Sequence, residues 1–108
     1  MARRIPCPWP EFSEAWIDLP DAWFGAHAQR HDEAVRKAEE FGPTLMTFAA
    51  SLAVLEDWHL PGLNGNPEKW DFTQIDLRLI AWVNSVTIGD YNLCYAIPKA
   101  LSSPSPAG

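Results

Sequence analysis

Apolar positions in this chain fall into two stretches with helical spacing and one stretch that is apolar on nearly every face. In the first, Ala28, Val35, Ala38 and Phe41 recur at helical intervals beside Arg30, Glu33, Arg36, Lys37 and Glu40, the signature of a two-faced surface helix. The spacing predicts a helix over 28–41, with Gly25 as the break before it and Gly42-Pro43 as its stop, and leaves both helix and strand end open for Asp21 to His27. Past Pro43, Thr44 is an N-cap candidate, and the run to Trp58 is interrupted only by Thr47, Ser51, Glu56 and Asp57. A helix that is hydrophobic all round is a central one, so 44–58 is expected to be the hub of the core. At 1.5 Å per residue it is too short for the roughly 30 Å of a bilayer.

A third helix is predicted near 75–88, opening at Thr73 or Asp76 and ending at Gly89. Ile75, Leu79, Trp82, Val83 and Val86 share one face, which Leu77 and Ile80 widen. Asp90 reads as the cap of a last short helix over 91–97, halted at Pro98. The connection from His59 to Pro67 is built of turn residues, with Asn66 placed to cap a short turn opened by Pro67. At the other end, prolines at 6, 8, 10 and 20 exclude a helix from Ile5 to Pro10. Glu14 to Leu19 reads as extended, an edge or hairpin strand. The expected fold is mainly α: a small helical bundle with a short extended or β N-terminal element. It forms one domain over 1–101, in which 1–20 is a Pro-rich extended segment, followed by a flexible Ser/Pro tail at 102–108.

Length and composition agree with one globular domain: 108 residues, 47% hydrophobic and 20% charged. The net charge of −6 disfavours nucleic acid as a partner, because phosphate binding rests on cationic side chains. No apolar run approaches the roughly 20 residues of a membrane span, and Met1-Ala2-Arg3-Arg4 leads into proline and tryptophan. A soluble, cytoplasmic protein is the expectation. Cys7 and Cys94 lie near opposite ends of the chain, without the spacing of a disulfide framework or a zinc site.

Candidate chemistry is sparse. His27 and His31 share a helix face, yet a metal needs more ligands and HExxH lacks its glutamate here; both are read as solvated helix histidines. Asp57-Trp58-His59 places an acid near a histidine with no serine or cysteine in a nucleophile motif. Asp32-Glu33, Glu39-Glu40 and Glu56-Asp57 are read as solvated pairs. The expectation is therefore a protein that is not an enzyme and uses no cofactor or metal. The informative residues are six tryptophans. Trp58, Trp70 and Trp82, with Phe72, adjoin apolar helices and are assigned to the core. Trp9, Trp16, Trp23 and Phe24 lie in the Pro-rich region and are the candidate partner-binding residues; the competing reading is a second core layer.

From Asp57 to Val83 the chain runs through D-W, L-P-G-L, N-P-E-K-W and I-A-W-V, and Leu19 to His27 reads L-P-D-A-W-F-G-A-H. With the Pro-Lys and Ser/Pro-rich end, this resembles the small tail-assembly chaperone-like proteins of long-tailed bacteriophages and prophages. The resemblance implies a helical, non-enzymatic protein of the host bacterial cytoplasm that keeps the tape-measure protein soluble and helps recruit tail-tube subunits. It also implies a longer form made by frameshifting near the end of the reading frame. It transfers no individual residue role. A minor structural protein of the particle, acting in head–tail joining or completion, and a small host-directed regulator remain open, as does a homo-oligomer.

Overall fold

The computed structural model describes residues 2–65 and 67–94. The fold is mainly α, with three helices and a small antiparallel sheet in the order β1-β2-β3. Strands β1 (Arg3–Pro6) and β2 (Trp16–Leu19) form the N-terminal hairpin, and β3 (Asp57–His59) adds to the other side of β2. Helices α1 (Gly25–Ala38), α2 (Pro43–Val54) and α3 (Leu77–Leu93) supply the rest of the core.

Alternation along β2 gives the sheet an inner and an outer face. Ile17 and Leu19 point inward and are 0% and 3% exposed, with Ala15 buried just before them. Trp16 and Asp18 point the other way, opposite Pro6 and Arg4 on β1 and His59 and Asp57 on β3. Two carboxylates thus face each other across β2 and β3, an arrangement that destabilises a ladder unless a cation intervenes. Arg4 is that cation. Its guanidinium reaches both Asp18 oxygens at 2.8 and 3.0 Å and lies 3.6 Å from the centroid of the Trp16 ring. Of the two readings of this segment, edge or hairpin strand, the hairpin holds and the edge does not, because β3 pairs with the other side of β2.

β3 also corrects the second helix. The chain leaves α2 at Leu55 with extended backbone angles, and the Glu56 N–H donates to the Asp18 carbonyl at 2.9 Å. Pairing with β2 therefore captures Asp57 and Trp58, which the apolar run had assigned to a helix over 44–58, together with His59 from the expected connection. At the front of α2, Gly42 rather than Thr44 is the cap: its φ of +90° is open to glycine, and Pro43 occupies a first-turn position that needs no N–H. Phe48, Ala50, Ser51 and Val54 of α2 are buried, so the expected hub is central, over a shorter span.

α1 begins at Gly25, not after it, and ends at Ala38; a 3₁₀ turn over Glu39–Phe41 leaves Phe41 exposed. α3 opens at Asp76, whose side chain accepts from the Arg78 N–H at 2.9 Å. Leu79, Ile80, Trp82 and Val83 are buried as the periodicity requires, whereas Leu77 is 67% exposed and does not widen the face. The helix runs through Gly89 to Leu93, so Asp90 caps nothing. Its carboxylate instead accepts from Arg3 and from the Trp23 indole. Of the short helix expected over 91–97, Tyr91 to Leu93 belong to α3 and Cys94 is its C-cap; 95–97, the tail at 102–108 and the Asn66 cap lie outside the described residues.

Phe48 is fully buried and meets Phe72 edge-on at 5.0 Å, so its truncation removes a large contact at the centre of the core. Phe48→Ala is expected to cost about 3–5 kcal/mol. Leu52→Ala, at a half-buried position, should cost less, as measured by urea unfolding.

Candidate functional site

The four aromatics singled out in the sequence do not converge. Trp9 is 41% exposed, with the Arg78 guanidinium 5.4 Å from its ring centroid. Trp16 is covered by Arg4 and stacks on His59 at 6.3 Å. Trp23 is a structural anchor: its indole N–H donates to Asp90 Oδ2 at 2.9 Å, and its ring meets His27 and Tyr91 edge-on at 5.2 and 5.1 Å. Phe24 is 67% exposed and stacks on His27. Arg78, beside Trp9, and Asp90, beside Trp23, are separated by twelve residues of α3, about 18 Å of helix. Trp16 and Trp23 thus spend their faces within the molecule, and Trp9 and Phe24 are the exposed members.

A better-formed concavity lies where no single sequence segment marks it. Phe41 and Leu45, from the α1–α2 junction, face Trp70 and Phe72, from the connection between β3 and α3; Pro67, Asp71 and Thr73 complete the rim of a cavity of about 230 Å³. Its walls are fixed from behind. Phe72 packs edge-on against Phe48, and Trp70 packs edge-on against Trp58 at 5.2 Å while donating its indole N–H to the Asn64 carbonyl at 3.2 Å. Asp71 caps the 3₁₀ turn that carries Phe72, accepting from the Thr73 N–H at 3.0 Å and the Thr73 hydroxyl at 2.5 Å. Gly62, at φ +88°, lets the connection pass close to Ile75, where a Cβ would sit 2.9 Å from Cδ1. Trp58, Trp70 and Phe72 are half-buried against the core, as their sequence context indicates, and Trp82 is buried. The sequence reading missed the groove because Phe41 was counted on the buried face of the first helix.

The polar groups divide between structure and solvent. His31 lies 3.0 Å from Asp32 at the surface, but His27 is 5% exposed, which overturns its reading as a solvated histidine. Asp57 accepts from the Trp58 N–H, and His59 is engaged with Trp16. Among the described residues no group of three or more His, Cys, Asp or Glu side chains is arranged to hold a metal ion, and Cys7 and Cys94 are free thiols. No described helix is long and apolar enough to cross a membrane. Arg4 holds the Asp18 carboxyl below the usual carboxylate range by hydrogen bonding. Arg3, joined by the Trp23 indole, does the same for Asp90.

No family model matches the sequence, and no curated protein or solved structure matches it.

The Arg3–Asp90–Trp23 cluster ties β1, α3 and the start of α1 together, so its charge is testable. Arg3 is partly exposed and screened by solvent, which limits the expected loss in Asp90→Asn to about 1–2 kcal/mol at neutral pH. Because the folded carboxyl is depressed, its contribution is complete above the unfolded value of about 3.9 and is lost as pH falls through the folded value. Urea unfolding at pH about 7 and about 3 should show the difference between wild type and Asp90→Asn shrinking in acid.

Proposed function

We propose that this chain is a non-enzymatic binding protein that shields an apolar helical segment of an aggregation-prone partner, acting as a tail-assembly chaperone for a tape-measure protein in the host bacterial cytoplasm. The observation that carries the reading is the groove between Phe41, Leu45, Trp70 and Phe72. Its volume of about 230 Å³ is below the roughly 300–1,000 Å³ of small-molecule pockets. It suits one or two bulky side chains of an amphipathic helix. Aromatic walls already packed against the core lose little freedom on binding, which favours a few anchors carrying most of the energy. Trp9 and Phe24, exposed at other places on the surface, are not part of the groove and are available for separate contacts.

The reading extends the sequence resemblance to tail-assembly chaperones, and recruitment of tail-tube subunits is part of it. The acidic surface supports it in one further respect: a net charge of −6 keeps the chain itself soluble while an apolar partner is held.

Co-expression with a tape-measure protein tests it. Wild type should raise the soluble yield of that partner and be recovered in complex with it. Phe41→Ser, at a position 56% exposed, should leave the thermal midpoint nearly unchanged and weaken capture roughly 5–30-fold, the loss of about 1–2 kcal/mol from one anchor. A partner equally soluble with and without the chain, and no complex, would reject the reading. Recovery of the chain in purified particles would place it among minor structural proteins instead.

A further inference from the structure

Helix α1 is closed at its first turn by a histidine. The Phe24 N–H donates to Nδ1 of His27 at 2.9 Å, and the His27 N–H donates back to the Phe24 carbonyl at 2.9 Å. Phe24 is the N-cap and His27 the third helical residue, so imidazole occupies the place from which glutamate or glutamine ordinarily reaches back to the cap. The ring is 5% exposed, with Trp23 edge-on at 5.2 Å and Phe24 stacked at 6.1 Å. A ring nitrogen that accepts carries no proton, so the neutral ring is protonated at Nε2. That buried Nε2 has no hydrogen-bond partner among the described residues; the Glu56 carboxylate, on the segment entering β3, lies 3.8 Å away.

We propose that His27 is a pH-responsive latch on the start of α1: the neutral ring holds the first turn closed, and protonation at Nδ1 opens it. Imidazolium has two donors and no acceptor, so its Nδ1–H confronts the Phe24 N–H it formerly satisfied. Its charge also sits at the end of the helix where the macrodipole disfavours a cation. None of the facing groups supplies an acceptor for the Phe24 N–H. Glu56 attracts imidazolium from the Nε2 side and so cannot restore an acceptor at Nδ1. On α3, the Asp90 carboxylate is committed to Arg3 and the Trp23 indole. On α1 itself, His31 stacks on Tyr91 one turn further along and lies beside Asp32. Protonation takes away the acceptor on which the Phe24 N–H depends, so the closed first turn weakens on acidification, within the interval of about pH 8 to 5 where histidine changes charge. Opening the turn would loosen Trp23 and enlarge the apolar surface around Phe24.

The test compares the full chain with His27→Gln and His31→Gln at pH about 7.5 and about 5.5, following amide-exchange protection at Phe24, corrected for intrinsic rates, and the thermal midpoint. Glutamine at position 27 can make the reach-back bond and does not titrate. In wild type, protection at Phe24 should fall about fivefold on acidification, the equivalent of one cap worth about 1 kcal/mol, and the midpoint should drop. His27→Gln should show neither change, and His31→Gln should behave as wild type. The latch is refuted by a wild type insensitive to pH, by His27→Gln responding as wild type does, or by His31→Gln removing the response. If His27→Gln does not fold, nitrogen shifts of wild-type His27 decide: an unprotonated Nδ1 at pH about 7.5 supports the latch, and a protonated one overturns it.

Discussion

The architecture depends on β2 being paired along both of its edges. A strand paired on two sides must bury its inner face, and Ala15, Ile17 and Leu19 do so against Leu55, Leu60, Leu79 and Val83. It must also place its outer face between neighbours, and there Asp18 meets Asp57 across the ladder. Arg4 makes this arrangement tolerable by bonding Asp18 in a bidentate fork and covering Trp16. Arginine suits the position because one planar group serves the carboxylate and the aromatic face together. From the same pairing follows the early end of α2, since the chain must turn extended at Leu55 for Asp57–His59 to reach β2.

A second dependence runs through α3. Its buried residues pack under the sheet and α2, while Asp90 near its C-terminal end gathers Arg3 of β1 and Trp23 before α1. Arg3 donates as well to the Pro20 carbonyl at 2.7 and 3.2 Å, closing the corner between β2 and α1. The hairpin is therefore joined to the helices by directed polar contacts at one end and by apolar packing along its inner face.

Three helices, their approximate positions and the central place of the second were legible in the sequence, because each rests on local periodicity bounded by glycine and proline. What stayed hidden was non-local. Nothing near Asp57 announces that it pairs with Asp18, some forty residues away, so the apolar run up to Trp58 reads as uninterrupted helix. Asp90 looks like a cap because it follows glycine, and only the approach of Arg3 and Trp23 explains why it is interior. The candidate aromatics were chosen by their Pro-rich neighbourhood, which says nothing of whether a cation or a carboxylate waits opposite; Trp16 and Trp23 are covered by such partners, whereas Trp9, with Arg78 5.4 Å from its ring, and Phe24 stayed exposed. The groove joins Phe41 to Trp70 across the connection, and no spacing rule links residues so far apart. His27 differs, since Trp23 and Phe24, four and three residues earlier, pack against its ring, a local contact that helical spacing alone does not reveal.

The two sites are built on different elements. The groove walls Trp70 and Phe72 are backed by Trp58 and Phe48, which belong to β3 and α2. α1 contributes only the turn that ends in Phe41, and that turn is fixed at Gly42, where a positive φ and the following proline leave the backbone little freedom. The His27 contact lies at the other end of α1, near the start of its fourteen residues, or roughly 20 Å of helix. Loss of one cap frays a helix within its first turn. A change in the protonation of His27 therefore acts on Trp23, Phe24, their neighbours in α3 and the Glu56 carboxylate, while the Phe48–Phe72 and Trp58–Trp70 pairs that back the groove are not among its direct contacts.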